Sequence, residues 1–302
     1  MINKDRHMSQ IISDPANHSL GSTSTARQSA MRAASLANVA IRPLRHLDDF
    51  IACEALLDSI WRPESGSSLM SKDLLRGIRS ANSYVSGAFQ TGQLVGVCVG
   101  FWGPPESRSM HSHIAGVSGT ARGRNVGYAL KLDQRAHALE SEVDTITWTF
   151  DPLVRRNAFF NFHKLGGVAS QYLVNYYGPM LDEINGTDES DRLLLEWNLA
   201  SPGVVRRCDA TPGTGTPHTA DHNSVAALSV GRAGQPVVAA TSASTLLVGV
   251  PEDIEILRHV DPGLGREWRT AVREVLAGIL SRGGRVEGFE PQTGSYIVTR
   301  GK

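Results

Sequence analysis

The stretch Val117-Ser118-Gly119-Thr120-Ala121-Arg122-Gly123-Arg124-Asn125-Val126-Gly127-Tyr128-Ala129-Leu130 constrains this chain more than any other. A β-type run, Ile114 to Val117, feeds a turn rich in Gly and Arg. The turn opens directly into a helical pattern from Tyr128 to Leu139. Strand, tight turn and helix start, in that order, make an anion site. The first N–H groups of a helix have no intrahelical acceptor, and the helix dipole favours negative charge there. Successive N–H groups in such a turn also form a concave nest. A diphosphate suits it, so the sequence predicts a nucleotide-like cofactor.

Two common phosphate loops are excluded. A Walker loop needs Lys-Ser or Lys-Thr after its second glycine, and neither Gly123 nor Gly127 is followed by one. A dinucleotide fingerprint needs Gly-x-Gly-x-x-Gly at the first strand, with an acid about 20 residues on. Here the spacing differs and the turn lies more than a hundred residues into the chain. What remains is Arg-x-x-(Gly/Asn)-x-Gly, spelled Arg122-Gly123-Arg124-Asn125-Val126-Gly127. This pattern resembles the acyl-CoA pyrophosphate loop of the GNAT acyltransferase superfamily. Ala40-Ile41-Arg42-Pro43-Leu44 resembles the first strand of that family, and Thr145-Ile146-Thr147-Trp148-Thr149-Phe150-Asp151-Pro152 the fifth. Asn157-Ala158 and Lys164-Leu165-Gly166 resemble the following helix, with its Lys-x-Gly ending. The resemblance spans residues 39–200 and is strongest from His111 to Gly178, together with Asp191 to Trp197.

The resemblance implies an α/β fold with a mixed sheet and an acyltransferase activity. Acetyl-CoA or succinyl-CoA is the implied co-substrate, with no metal. The implied acceptor is the amine of a small metabolite, an amino acid or related compound, attacked directly in a ternary complex. A non-catalytic CoA-binding or regulatory module and a protein N-acyltransferase are the alternatives. Backbone N–H groups of Gly123, Arg124, Asn125, Val126, Gly127 and Tyr128 would hold the pyrophosphate, with the Arg122 and Arg124 side chains nearby. The strand from Ile114 to Val117 would pair with the pantetheine arm, Val117 facing the thioester oxygen. Asn157 is placed like an Asn that contacts pantetheine; a helix N-cap is its other reading. Two positions depart from the pattern. Asn125 replaces the first loop glycine, and Asn tolerates left-handed backbone better than most residues. Phe162 stands where the family often has a Tyr that protonates the leaving thiolate, and Phe has no proton to give.

Acyl transfer needs the amine neutral, the oxyanion met by a donor and the thiolate stabilised. For the base, His111 and His113 stand two apart on one strand, so they share a face, and histidine titrates near working pH. His113 is the preferred one. For the acid, Tyr176 is taken ahead of His163, Tyr172 and Tyr177. Asp151 and Arg155 are the candidate acceptor contacts, Asp151 with a capping role as its alternative; Arg156 and Arg192 are also placed to serve a carboxylate-bearing acceptor.

At 302 residues the chain suits two modest domains. Its formal charge is zero and it has no dense Lys/Arg block, which argues against nucleic acid as a partner. Its three cysteines, Cys53, Cys98 and Cys208, are widely spaced, so neither a disulfide framework nor a zinc site is expected. No apolar run is long enough to span a membrane, and the first 30 residues lack a signal-peptide core. A cytoplasmic location is the simplest expectation, and a homodimer is left open.

The chain divides by composition. Residues 1–38, rich in Ser, Thr, Asn and His, read as a disordered tail. Residues 39–200 form the GNAT-like domain, 201–224 a Pro/Gly/Thr linker, and 225–302 a small α+β extension. Helices are expected over Leu47–Trp61, from Ser71 to about Ser80, and over Glu267–Leu280. Strands are expected at Tyr84–Phe89, Leu94–Phe101, Met110–Val117, Val143–Phe150, Val168–Tyr177, Leu193–Leu199 and Tyr296–Thr299. Strands alternating with helices give a mixed sheet.

Overall fold

The computed structural model describes residues 15–63, 68–178, 180, 188–209 and 223–301. Its framework is one sheet, twelve-stranded among the described residues. The first half contains helix α1 (Pro15–Leu36), β1 (Ala40–Pro43), α2 (Leu47–Trp61), α3 (Lys72–Ser80), β2 (Tyr84–Gln90), β3 (Gln93–Trp102), β4 (Ser109–Val117), α4 (Val126–Glu140) and β5 (Thr145–Phe150). There follow α5 (Arg155–Ala158), which continues as a π-helical turn over Phe159–Lys164, then β6 (Val168–Leu173), β7 (Arg192–Asn198) and α6 (Pro202–Asp209). The remainder comprises β8 (Val225–Val230), β9 (Pro236–Val238), β10 (Thr245–Gly249), α7 (Ile254–Val260), α8 (Pro262–Leu280), β11 (Arg285–Glu290) and β12 (Ser295–Thr299). The spatial order is β1-β2-β3-β4-β5-β7-β6-β11-β12-β10-β8-β9.

β1 to β4 form an antiparallel meander, with a tight turn at Thr91-Gly92 between β2 and β3. Thr91 and Gly92 both have positive φ, the conformation of a short hairpin. β4 then pairs in parallel with β5, over only Ser109↔Thr145, Met110↔Ile146 and His111↔Thr147. Beyond that point each strand stays with its outer neighbour, β4 with β3 and β5 with β7, and the two part. A bulge sits where they separate. Val99 faces Ile114 while Gly100 faces Ser112, so His113 is an extra residue in β4, and a bulge bends the strand that carries it.

The expected tail over residues 1–38 is corrected from residue 15 onward; residues 1–14 lie outside the described residues. Ala26, Ala30, Ala33 and Ala37 recur at helical spacing, are buried, and bring the α1 backbone close to the rest of the core. Arg27 fixes the register, donating to Asp133 Oδ1 at 2.8 Å and Glu140 Oε2 at 2.6 Å on α4. The expected linker is corrected in the same way over 202–209. There α6 buries Val204 and Cys208, and Arg207 donates to the carbonyls of His163 and Gly203. Residues 210–222 lie outside the described residues.

The segment from 225 to 301 has the expected α+β character, but its strands prolong the same sheet, joining through Val286↔Ala169. Its apolar residues share a core cluster with α1, α4 and β5. The strand predicted over Val168–Tyr177 stops at Leu173, and Val174–Tyr177 form a turn. α7 went unpredicted. Asp253 caps it, accepting from Glu255 N and Ile256 N at 3.0 Å, and Asp261 caps α8, accepting from Leu264 N at 3.0 Å.

A buried ion network fastens this segment to β5. Asp151, at the end of β5, accepts two hydrogen bonds from Arg269 of α8 at 2.9 Å and one from Arg258 of α7 at 2.6 Å. Asp188 accepts from both arginines at 2.9 Å. These four side chains are only 2–8 % exposed. Burial alone would raise the Asp151 pKa; Arg269, then Arg258 and Arg192, overcome it and hold the carboxyl well below the usual range. Its stabilisation is therefore present above the unfolded-state pKa near 4 and is lost as the pH falls below it. Asp151→Ala strands buried guanidinium groups and is expected to cost about 3–5 kcal/mol. Urea denaturation at neutral pH tests this; a loss under about 1 kcal/mol would mean that water replaces the carboxylate.

Candidate functional site

The gap between β4 and β5 is the throat of a cavity of about 610 Å³. β4 lines it from Ser112 to Val117 and β5 from Trp148 to Phe150. The turn after β4 forms its mouth, and α5 with its π-helical continuation forms a wall. Glu255 and Arg258 of α7 also line it, so the C-terminal segment contributes to the cavity as well as to the sheet.

At the mouth, Ser118 N donates to Val95 O at 2.9 Å, pinning the end of β4 to β3. A single 3-10 turn over Gly119–Ala121 follows. Gly123 then takes φ +78° and Asn125 φ +60°, two left-handed residues that aim the chain into α4. Asn125 is the N-cap of α4, yet its side chain does not cap the helix. Its Oδ1 instead accepts from Lys164 Nζ at 2.9 Å. The first turn of α4 therefore presents the N–H groups of Val126 and Gly127 without a side-chain cap. The space in front of it is open. A Cβ on Gly123 would meet no atom within 4 Å, and one on Gly127 only Val117 Cγ2 at 3.7 Å. These features suit a diphosphate.

The predicted site residues fall into two groups. Val117, Arg122, Gly123, Asn125, Val126, Gly127, Tyr128, His113, Asp151 and Asn157 line the cavity. Arg124, His111, Arg155 and Tyr176 do not. Arg124 turns back over the β2–β3 hairpin, donating to Gln90 Oε1 at 3.1 Å. Arg155 points into the C-terminal segment and donates to Val250 O at 2.8 Å. Tyr176 is exposed on the turn after β6, packed edge-on against Tyr177. Tyr177 is the one whose hydroxyl reaches the cavity rim, 2.9 Å from Thr149 Oγ1.

Asn157 is not an N-cap; Val154 holds that position in α5. The Asn157 side chain faces the cavity and has no hydrogen-bond partner among the described residues. Asp151 takes the capping role, accepting from Leu153 N at 2.9 Å, in addition to its arginine pairs. Arg156 and Arg192 line the cavity near it. Arg156 pairs with Glu255, and Arg192 is 3.9 Å from Asp151.

The rings of His111 and His113 lie side by side, centroids 6.1 Å apart, and both pack against Phe101. His113 is the bulge residue and borders the cavity, whereas His111 leans away, its Nδ1 3.4 Å from Thr147 Oγ1. Burial lowers both pKa values, and in His111 the neighbouring His113 and Lys131 lower it further. Phe162 is fully buried, packed edge-on against Phe150 and Tyr296, and does not reach the cavity.

Among the cavity residues that went unpredicted, three bear on its chemistry. Lys164 had been noticed only as part of the Lys-x-Gly ending, yet it reaches the loop through Asn125. Asn161 accepts from Trp148 Nε1 at 3.2 Å. Lys131 of α4 is buried, donating to Ser112 Oγ at 3.1 Å and Gln134 Oε1 at 2.7 Å, with its ammonium 3.7 Å from the centre of the Trp148 ring. The π-helical turn helps to aim Asn161 and Lys164 at the cavity, since an i→i+5 step re-aims side chains that an α-helix would spread. Among the described residues, no group of three or more His, Cys, Asp or Glu side chains converges to hold a metal ion. No helix there is long and apolar enough to cross a membrane.

No protein-family model matches the sequence, and no curated protein matches it either. Solved structures align with about half of the chain and nearly all of their own length. The ribosomal-protein-S18-alanine N-acetyltransferase of Escherichia coli is 12% identical, covering 54% of this chain and 95% of its own, with a TM-score of 0.42. An N-acetyltransferase from Staphylococcus aureus Mu50 is 15% identical, covering 54% and 99%, with a TM-score of 0.44. A GNAT family acetyltransferase from Elizabethkingia anophelis with acetyl-CoA bound is 16% identical, covering 53% and 98%, with a TM-score of 0.39. The described architecture is a mixed α/β one: an antiparallel meander, a parted β4–β5 pair and a loop that opens into a helix.

A histidine-resolved NMR titration checks the electrostatics at the bulge. His111 and His113 are both expected to lose their protons below the ordinary value of about 6.5. Values above it would mean that a carboxylate governs the rings instead.

Proposed function

We propose that the chain is an acyl-CoA-dependent N-acyltransferase of the GNAT type. It moves an acetyl or succinyl group to the amine of a small metabolite, such as an amino acid or related compound, by direct attack in a ternary complex. The observation that carries this reading is the parted β4–β5 pair ending on an open, uncapped helix N-terminus. An extended arm bearing amides fits between two strand edges that have stopped pairing, and a diphosphate fits at the mouth.

In this reading, the amides of Gly123 to Tyr128 hold the pyrophosphate, with Arg122 and Lys164 beside it. Asn157 offers its amide to the pantetheine arm. The main contribution to rate is proximity, since both reactants are held in one cavity. His113 borders the cavity as a neutral imidazole and takes the amine proton. Arg156 and Arg192 stand where an acceptor carboxylate would be met. Asp151 holds the C-terminal segment in place, and Arg155 and Tyr176 have no part in the chemistry. A second reading, a non-catalytic CoA-binding or regulatory module, draws its support from Phe162. Release of free CoA thiol from acetyl-CoA or succinyl-CoA with an amine pool separates the two readings, because both bind CoA.

Gly127→Glu is expected to abolish CoA binding in calorimetry, because a carboxylate would enter the phosphate site, while Gly127→Ala keeps it. Equal affinity in the Glu variant would place the diphosphate elsewhere. His113→Ala is expected to lower turnover more at about pH 6.5 than at about pH 9, where acceptor amines increasingly lose their own protons. A loss of equal size at both pH values would make His113 structural.

A further inference from the structure

Lys131 has no role in the scheme above, although it lies at a telling point. Ser112 and Trp148 are the first residues of β4 and β5 beyond the last register pair, His111↔Thr147. The Lys131 ammonium touches both, so it sits at the apex of the gap, at the opposite end from the phosphate loop. The six residues of β4 from Val117 back to Ser112, five steps of strand, span about 17 Å. An extended arm anchored at the loop therefore carries its terminal thioester past Val117, where the resemblance would put the thioester oxygen, towards this apex.

The surroundings of Lys131 are unusual for an ammonium. Its hydrogen-bond acceptors are neutral and its third contact is an aromatic face. No carboxylate pairs with it among the described residues. A buried cation held only by neutral groups is costly, and a cavity that ends on one is suited to negative charge. Two negative charges appear during acyl transfer from a thioester, the oxyanion and the leaving thiolate, and of these the thiolate is the one that departs with a proton. The tyrosine that the sequence resemblance would supply for it is Phe162, sealed in the core.

Resting on the acyltransferase reading, we propose that Lys131 is a catalytic residue whose ammonium gives its proton to the departing coenzyme A thiolate. The acceptor nitrogen forms the new C–N bond and the C–S bond breaks, its electron pair remaining on sulfur. Nζ–H transfers to that sulfur and leaves a neutral amine. The acceptor nitrogen loses its proton to His113 and then to solvent, and Lys131 regains one from solvent after the products depart. Burial supports the role by lowering the Lys131 pKa to about 8, near that of a thiol. The titratable groups that face it are His111 from β4, with His113 beside that ring, and the buried Cys98 thiol from β3, while β5 and β7 present Trp148 and Trp197.

The test needs no knowledge of the acceptor. Free coenzyme A is bound to the wild-type protein and to Lys131→Met and Lys131→Arg, and thiolate formation is followed by ultraviolet absorbance against pH. The wild type and the Arg variant are expected to lower the thiol pKa of bound coenzyme A by about one unit or more, and the Met variant to return it to the free value. Where an acceptor is in hand, Lys131→Met is expected to lower kcat about 100-fold or more with little change in KM for acyl-CoA, and the wild-type fall in rate above about pH 8 disappears. Unchanged affinity for coenzyme A in the Met variant shows that it is folded. Binding with the same thiol pKa in wild type and Met variant overturns this proposal alone. A kcat loss confined to acyl chains with a terminal carboxylate also overturns it, making Lys131 an anchor for the chain. No binding of coenzyme A to the wild type removes the acyltransferase reading and this proposal with it.

Discussion

The site exists because β4 and β5 stop pairing after three residues. A sheet normally satisfies the N–H and C=O groups of its inner strands through the neighbouring strand on each side. Here the outer edges stay paired, to β3 and β7, so the sheet remains continuous while its middle opens. The bulge at His113 bends β4 away. Lys131 ties both strands together from α4 where they diverge, through Ser112 on one and the Trp148 ring on the other. The edges that face each other across the gap carry backbone groups whose natural partner is another amide. This makes the opening a selective feature: it matches an extended arm with amides along its length better than a compact ligand.

A second constraint holds the far wall. The end of β5 is fastened by Asp151 to two arginines from α7 and α8, at a depth where neither sign of charge is stable alone. Such a network adds little net stability compared with a hydrophobic replacement, but it is costly to break. Its effect is positional. It fixes α7 against the cavity, so that Glu255 and Arg258 become part of the lining. The C-terminal segment, which composition separates from the preceding domain, is joined to it by core and by charge.

The legible part of the sequence was local. The turn at 121–128, the strand ending at Asp151 and most helix and strand spans follow from periodicity and from turn chemistry confined to a few residues. What escaped depended on distant partners. The alanine stripe of α1 carries no large apolar residue, so Ala26, Ala30, Ala33 and Ala37 look like low-complexity sequence until α4 is placed against them. Nothing local in the sequence marks Lys131 and Gln134, polar residues of a helix, as buried, yet both are packed against the sheet. Asp151 looked like an acceptor contact because its partners lie more than a hundred residues away. Tyr176 was read as part of a strand that ends three residues earlier, which left its side chain outside the cavity.

Phe162 connects the two halves of the molecule. Its ring packs edge-on against Phe150 at the end of β5 and against Tyr296 of β12. Tyr296 reaches this position because β12 belongs to the extended sheet, and its own hydroxyl donates to Pro152 O at 2.6 Å. A hydroxyl added at residue 162 would be buried among these rings and would need a hydrogen-bond acceptor there. On the acyltransferase reading proposed above, the thiolate is met from another direction. Lys131, buried on α4 and lining the throat, is the donor that meets it there.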